Sequence, residues 1–372
     1  MTPSTNISSY HSLRVVIEKN PGTELTDHLK KTVLGTPGGL RYKHTNQVKK
    51  LNNIGEAYFL LLFKMNRMLG SVGLCLRNTY NGELVEKSWY IRYFSIHAPL
   101  RGKKGHSKLK KIKKVSGIGI LKNAVMPYFN NPDILQNPGN EMSKSIIFSY
   151  IDKENPRSAD FSRQMGLESV RTLSTFIFTR FKPGQFAHVK RINEIQKSQV
   201  LKEIKKFYSG YTMFHEQYIF FENNYYVAVE NGEIVAGLQA NPEEWEIVEM
   251  KGLGGMFIKI IPYIPFIKKY LNPQKFKFLG IEAIWYKPGK AHYIDNIIES
   301  VLSKSKLYIA LSWQDSMSEL QAELVKEVRP GFLSKFFKAG HGEIQIKFIS
   351  FTEKEKQEYF NKPAYLSAFD MT

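Results

Sequence analysis

Short apolar runs separated by polar turns dominate the first half of the chain. Such runs are typical of buried β-strands when they span about four to eight residues and turn-forming residues bound them. A longer apolar segment, over residues 120–129, predicts a helix. The predicted strands cover residues 57–63, 68–77, 88–96, 145–151 and 175–179. Antiparallel strands followed by strand, helix and strand indicate a mixed α/β sheet.

The second half repeats this order. An amphipathic helix is predicted over residues 292–302, and Asn231-Gly232 is a strong signal for a tight β-hairpin turn. The predicted strands are 225–230, 233–240, 276–286, 307–312 and 343–351. The repeated order predicts the α/β class (mixed α+β), with two tandem domains, 1–182 and 183–372, each a mixed central sheet flanked by helices.

Length and charge add to this picture. The 372 residues suit two domains of about 150–200 residues each. The formal net charge of +19 indicates an anionic partner such as a polyanionic cofactor, an acidic carrier protein, a membrane surface or nucleic acid. Zinc-finger spacing and aromatic RNA-binding motifs are both lacking, so neither a metal site nor specific nucleic-acid binding is predicted.

The single cysteine and the lengths of the apolar runs allow an expectation about the cellular location of the protein. Cys75 is the single cysteine, lies in an apolar run and is expected in the core. No apolar run reaches the roughly 18–20 residues of a transmembrane helix, and the first residues lack signal-peptide features. A cytoplasmic location is therefore expected. Residues 253–270 mix aromatics, prolines and lysines, which suits either packing between the two halves or contact with a membrane surface or acyl chain.

A basic loop with a glycine-bearing turn follows the strand 88–96. Residues Lys114 to Gly119 precede the predicted helix, and Gly117 and Gly119 would expose backbone N–H groups at its start. A helix N-terminus with free N–H groups favours a phosphate or pyrophosphate. A purely structural turn is the alternative, because glycine is common in turns without any ligand.

These residues resemble the coenzyme A loop of the GNAT (Gcn5-related N-acetyltransferase) superfamily. Lys114, Gly117 and Gly119 occupy the positions of its Arg/Gln-x-x-Gly-x-Gly/Ala motif, and Asn155 and Gly166 keep the spacing of a later signature. A rival loop placement lies at residues 99–106. The resemblance implies an acyl-CoA donor and this set of cofactor-binding residues: Ile96, Lys114, Val115, Ser116, Gly117, Ile118, Gly119, Asn155 and Arg157.

The resemblance also directs attention to catalytic candidates. The family often uses a carboxylate near its fourth strand, but here that strand offers Tyr93, with His97 just beyond it. Glu282 lies on the equivalent strand of the second half. Ser162 stands where the family often has a tyrosine acting as general acid. Tyr93, His97 and Glu282 are therefore the catalytic candidates, with an exposed loop histidine and a structural ion pair as the alternatives for the last two.

The second half resembles the same superfamily more weakly. Gly289 and Ala291 occupy the loop positions, but Tyr286 replaces the usual Arg or Gln and Pro288 removes a backbone donor. We therefore expect this half to be degenerate.

The predicted function is transfer of an acyl group from acyl-CoA to an amine acceptor that the sequence does not identify. One alternative is a non-catalytic module whose basic surface binds an anionic partner. Another is an acyltransferase that takes its acyl group from an acyl carrier protein and modifies a lipid precursor.

Overall fold

The computed structural model describes residues 5–10, 13–35, 38–65, 67–96, 117–250, 255, 260, 263–331, 333–335 and 340–372. His97, Lys114, Val115 and Ser116, with most of the basic loop, lie outside the described residues. Within the described part of the chain, no helix is both long and apolar enough to cross a membrane.

The described residues of the first half form nine strands. They are β1 Thr5–Tyr10, β2 Leu13–Lys19, β3 Leu34–Gly35, β4 Arg41–His44, β5 Ala57–Lys64, β6 Arg67–Asn81, β7 Leu84–Ile96, β8 Ser145–Asp152 and β9 Glu168–Thr179. The second half supplies β10 Val189–Arg191, β11 Tyr225–Glu230, β12 Glu233–Glu249, β13 Phe276–Tyr286, β14 Ile309–Asp315 and β15 His341–Ile349. The predicted apolar runs coincide with strands β5 to β9 and β11 to β15, most of which extend further than predicted.

The described helices lie on both faces of the sheet. They are α1 Thr23–Lys31, α2 Gln47–Asn52, α3 Gly117–Asn130, α4 Pro156–Gln164, α5 Glu194–Phe207, α6 Pro265–Tyr270, α7 Tyr293–Ser305, α8 Glu319–Glu327, α9 Glu353–Asn361 and α10 Ala368–Met371. Helix α3 begins at Gly117, earlier than predicted, so Gly117 and Gly119 belong to its first turn.

All the described strands belong to one sheet. Its order is β1-β2-β5-β6-β7-β8-β15-β9-β14-β13-β12-β11-β10, with β4 pairing with the end of β12 and with β3. Most neighbours are antiparallel, and the two parallel pairs are β7 with β8 and β13 with β14. Each parallel pair is joined through a helix, α3 in the first half and α7 in the second. The predicted class, a mixed sheet flanked by helices, is confirmed.

The two halves exchange strands at the centre of the sheet. Strand β15, from the second half, lies between β8 and β9 of the first half and is antiparallel to both. Strand β9 in turn pairs with β14. The predicted division near residue 182 stays a prediction, but neither half contains all the strands that pair with its own.

Three apolar clusters fill the space around this sheet. One lies beneath α3, where Val125 and Phe129 pack with Trp89 and Ile147. A second lies beneath α5 and α7 in the second half. The third joins the halves and contains residues of β5, β15 and the final segment of the chain. The last segment is therefore part of the core that both halves share.

Replacing Ile344 with alanine tests the exchange of strands. Ile344 is fully buried in β15, pairs with Tyr150 and Arg171 and belongs to the shared cluster. Truncating a buried isoleucine costs about 2–5 kcal/mol. We expect this loss in one cooperative urea transition that circular dichroism and tryptophan fluorescence report at the same midpoint. Ile195→Ala, at an 89% exposed position, is the control and should change stability little. Two separate transitions would contradict a shared core.

Candidate functional site

The parallel strands β7 and β8 pair over only part of their length. Their ladder runs from Lys87 with Ser145 to Tyr90 with Phe148. Strand β7 nevertheless continues to Ile96 and β8 to Asp152. The two strands therefore separate towards their carboxyl ends, and we call the resulting gap the first opening. The helix that follows β7 along the described chain is α3, with Gly117 and Gly119 in its first turn.

A β-bulge lies beside the first opening. Arg92 pairs with Gly73 and Ser95 with Ser71, so two residues of β7 face one residue of β6. Tyr93 at the bulge has φ of +54°, which is rare for a residue with a side chain. Such strain costs about 1–3 kcal/mol and persists only where surrounding packing imposes it. The bulge takes an extra residue of β7 out of the ladder next to the opening.

Three buried hydroxyl groups in this region have no hydrogen-bond partner among the described residues. They belong to Tyr93, to Ser149 just past the last β7–β8 pair, and to Ser162 on α4. Helix α4 reaches β7 through the stacked rings of Phe94 and Phe161, whose centroids are 4.4 Å apart. Because buried polar groups are normally paired, unpaired hydroxyls are available to a ligand.

The remaining cofactor candidates divide into two groups. The Asn155 side chain accepts a hydrogen bond from Ser158 N at 3.2 Å and caps α4, while Arg157 is exposed in the first turn of that helix. Ile96 is the last residue of β7 and pairs with Gly70. Their contact with a cofactor stays a prediction. His97, Lys114, Val115 and Ser116 lie outside the described residues.

The second half contains a matching opening. Strands β13 and β14 pair only from Leu279 with Ala310 to Ile281 with Ser312. A bulge follows at once, with Ala283 at φ of +48°. Arg92 precedes the first bulge as Glu282 precedes the second. The two halves therefore share the same arrangement of separating strands and a bulge, with a positive charge (Arg92) beside the first bulge and a negative charge (Glu282) beside the second.

Tyrosine hydroxyls bond to the bulge carbonyls of β13 beside the second opening. The hydroxyls of Tyr225 and Tyr208 donate to the carbonyl oxygens of Ala283 and Ile284, each at 2.8 Å. Glu230 pairs with Lys290 at 2.5 Å and accepts from the Tyr293 hydroxyl at 2.8 Å. This ion pair therefore lies beside the side chain of Tyr293, the first residue of α7.

Helix α10 carries the anion around which a buried charge cluster is built. Asp370 Oδ1 accepts from Arg77 Nη2 at 3.0 Å and from Arg92 Nη1 at 3.2 Å. All three side chains are buried. Tyr90 donates to the main-chain oxygen of Asp370 at 2.9 Å. The salt bridges hold α10 against β6 and β7.

The same segment also bonds to the second half. Ser367 donates to Glu282 Oε2 at 2.7 Å, and Gln239 Nε2 donates to Glu282 Oε1 at 2.8 Å. Burial raises the pKa of Glu282 to about 7, although hydrogen bonds from Ser367 and Phe369 act in the opposite direction. A carboxyl group with that pKa exchanges a proton readily near neutral pH. Glu282 as a catalytic residue stays a prediction.

Lys50 completes the buried cluster from α2. Its Nζ lies 2.8 Å from Glu243 Oε1 and bonds to the Thr372 hydroxyl. Arg92 Nη2 donates to the main-chain oxygen of Thr372 at 2.5 Å. Burial lowers the pKa of Lys50 to about 8, and the nearby Glu243 partly offsets that effect. Lys50 and Arg92 of the first half and Glu243 of the second half thus surround the C-terminal segment.

An aromatic wall lies beside Lys50. Tyr42 and His44 stack on Trp245, with ring centroids 4.1 and 5.7 Å away. Both ring nitrogens of His44 and both side-chain polar atoms of Gln47 lack partners among the described residues, and Gln47 is only 2% exposed. Burial lowers the pKa of His44 well below its ordinary value, so its ring is neutral.

Asp370, Arg77, Lys50 and Ser367 were not identified from the sequence, because their roles depend on contacts between distant segments. For Arg92 the sequence did contain an indication of a buried ion pair. A charged residue in an otherwise apolar strand requires a buried partner, although the sequence does not locate it.

Changing Asp370 to asparagine tests the charge cluster. The substitution leaves two buried guanidinium groups without their anion, and breaking a buried pair in this way costs about 3–5 kcal/mol. Urea unfolding measures the loss. Asp160→Asn removes an exposed pair with Arg163 and should cost less than about 1 kcal/mol. Equal effects of the two substitutions would contradict the central role of Asp370.

The pH dependence of stability tests the environment of Glu282. Its pKa is about 7 in the folded protein against an ordinary 4.5, so folding takes up a proton between these values. That stabilisation is complete below pH 4.5 and is lost as pH rises through 7. Glu282→Gln does not titrate, so its stability relative to the wild type should rise across this window by up to about 3 kcal/mol. Urea unfolding at several pH values measures the difference.

The exposed Glu194→Gln is the control for this series and should run parallel to the wild type. His215, whose pKa burial lowers to about 4, is present in every protein compared, so its contribution cancels. A constant difference between Glu282→Gln and the wild type would show that Glu282 titrates normally.

Comparison of the sequence with known protein families finds no match. Comparison with curated proteins finds none either.

Solved structures do match. N-myristoyltransferase of Saccharomyces cerevisiae, solved with bound myristoyl-CoA and inhibitors, aligns with a TM-score of 0.56 at 9% identity, covering 98% of this chain and 88% of that one. The same enzyme with bound myristoyl-CoA gives 0.54 at 8% identity, covering 92% and 84%. A GCN5-related N-acetyltransferase from Kribbella flavida gives 0.47 at 11% identity, covering 92% and 72%. The expected acyltransferase-like fold is thereby confirmed, through a likeness to N-myristoyltransferase that extends over nearly the whole chain.

Proposed function

We propose that this protein transfers an acyl group from acyl-CoA to an amine, with the donor bound by the first half. The observation that carries the proposal is the first opening, where β7 and β8 separate and the chain continues to the glycine-bearing start of α3. The structural relatives named above include an enzyme solved with myristoyl-CoA, which supports an acyl-CoA donor.

The residues around the opening suit such a donor. Backbone N–H groups from Lys114 to Gly119, at the start of α3, would bind the pyrophosphate. Ile96, Asn155 and Arg157 would lie along the pantetheine arm, and the unpaired Ser149 and Ser162 hydroxyls offer hydrogen bonds to its amides. Bound acyl-CoA supplies a thioester whose acyl carbon is open to attack by an amine.

The chain's own groups would position the reactants and move the proton. The bulge at Tyr93 supplies a strained backbone and a buried hydroxyl without a partner beside the opening. Preorganised donors at such a place stabilise developing negative charge on a carbonyl oxygen. Glu282, with its pKa of about 7, is the proposed acceptor of the proton from the amine. His97 is the other candidate for this step.

The second half would not bind a second donor. Tyrosine hydroxyls bond to its bulge carbonyls, and Glu230 accepts a hydrogen bond from the Tyr293 hydroxyl at the start of α7. The proposal is therefore one donor per chain, with Glu282 of the second half and the aromatic wall, to which both halves contribute, on the acceptor side.

Charge substitutions in the glycine turn test the donor site. Gly119→Asp adds a carboxylate beside the proposed pyrophosphate and should weaken binding of acetyl-CoA and myristoyl-CoA at least a hundredfold, or about 3 kcal/mol. Gly119→Asn has nearly the same size without the charge and should bind more tightly than the aspartate variant. Isothermal titration calorimetry measures each affinity.

Gly289→Asp, at the matching turn of the second half, is the positional control. A Cβ there meets no atom within 4 Å, but Gly289 has φ of +75°, so the change adds charge without a clash and at a cost in backbone strain. With folding checked by circular dichroism, affinity should stay near that of the wild type. If Gly119→Asp folds normally and binds both donors as tightly as the wild type, the first-half donor site is wrong. Equal losses in the Gly119 and Gly289 variants would contradict the assignment to one half.

A further inference from the structure

One edge of the sheet combines exposed apolar side chains with lysines. Strand β9 ends at Thr179, opposite the first residue of β14, and the chain continues through Phe181 and Lys182. The segment that leads into β13 reaches the same edge, because β13 is parallel to β14. We call the side chains of Phe181, Lys182, Tyr263, Ile264, Lys268 and Lys269 the β9-end surface.

The apolar members of this surface are exposed to solvent. Tyr263 is 84% exposed, Phe181 46% and Ile264 37%. The ring of Phe181 contacts Tyr270 edge-on at 5.1 Å, which fixes the end of β9 against α6. Large aromatic and aliphatic side chains in one exposed group usually mark a binding surface.

The charges of this surface are uncompensated within the described part of the chain. Lys182, Lys268 and Lys269 are exposed and form no ion pair with a described acidic residue. The carboxylates that β12 brings to the same edge are already paired, Glu244 with Lys277 and Glu246 with Lys43. The surface is therefore both apolar and cationic.

We propose that the β9-end surface docks the protein on an anionic lipid membrane. Tyrosine, phenylalanine and isoleucine suit the boundary between headgroups and acyl chains, where aromatic rings concentrate. Lysines beside them attract acidic headgroups, each contributing about fivefold to binding. A nucleic-acid duplex would satisfy the lysines but leave Tyr263 and Ile264 in water, so the combination favours a membrane. The inference does not depend on acyl-CoA binding.

Vesicle sedimentation tests the proposal with the full-length protein. We expect binding to phosphatidylcholine vesicles that contain phosphatidylserine, weak binding to phosphatidylcholine alone, and a steep loss of binding at high salt. Lys268→Gln with Lys269→Gln should weaken binding to the acidic vesicles roughly thirtyfold. Tyr263→Ser with Ile264→Ser should weaken binding at low and high salt alike, because it removes the apolar contact.

Matched controls lie on other exposed parts of the chain. Lys202→Gln with Lys206→Gln removes two exposed lysines of α5, and Ile195→Ser with Met317→Ser removes apolar side chains that are 89% and 77% exposed. Both control proteins should bind vesicles as the wild type does, and circular dichroism melting confirms that every variant is folded.

Three outcomes would overturn the proposal. They are failure of the wild type to prefer acidic vesicles, equal losses in the control and test variants, and duplex DNA binding that depends on Lys268 and Lys269 without any vesicle binding.

Discussion

Asp370 accepts hydrogen bonds from two arginines in the interior of the protein, and the arrangement of both halves depends on this contact. A buried guanidinium group is stable only when an anion and hydrogen bonds replace its hydration. Arg77 and Arg92 lie on neighbouring strands of the first half, yet their shared anion comes from the last helix of the second half. Folding of the first half therefore leaves two buried cations, which Asp370 of α10 neutralises. Backbone hydrogen bonds also join the halves, because β15 pairs with β8 and β9, and β9 pairs with β14.

The two halves contain the same backbone feature, but different side chains surround it. Each has a parallel strand pair that separates and a bulge at the point of separation, at Tyr93 and at Ala283. In the first half the hydroxyls of Tyr93, Ser149 and Ser162 have no partner among the described residues, although Ser71 donates to the Tyr93 carbonyl. In the second half two tyrosines bond to the bulge carbonyls. Because Arg92 and Glu282 occupy matching positions with opposite charges, one segment can bond to both. The C-terminal segment thus links matching positions of the two halves.

The sequence predicted where the strands lie better than it predicted which strands and side chains contact each other. Apolar runs located β5 and β13 within a residue, because burial on a sheet requires such runs, and Asn231-Gly232 located the hairpin. The bulges were not predictable, since they arise from register between strands. The contacts of Asp370 span 293 and 278 residues along the chain, and no local pattern encodes a partner at that distance. Helix α3 begins about one turn before the predicted residue 120, because the glycines at 117 and 119 were interpreted as a turn outside the helix.

Strand direction relates the first opening to the β9-end surface. Strands β8 and β9 are both antiparallel to β15, so they run in the same direction and their carboxyl ends share one edge of the sheet. The first opening and the β9-end surface therefore face the same side, whereas the second opening faces the other side, because β14 runs against β9. Amphiphilic donors with long acyl chains partition into membranes through their apolar part. A membrane bound at this edge would place such donors next to the first opening, where donor binding is proposed, and away from the second.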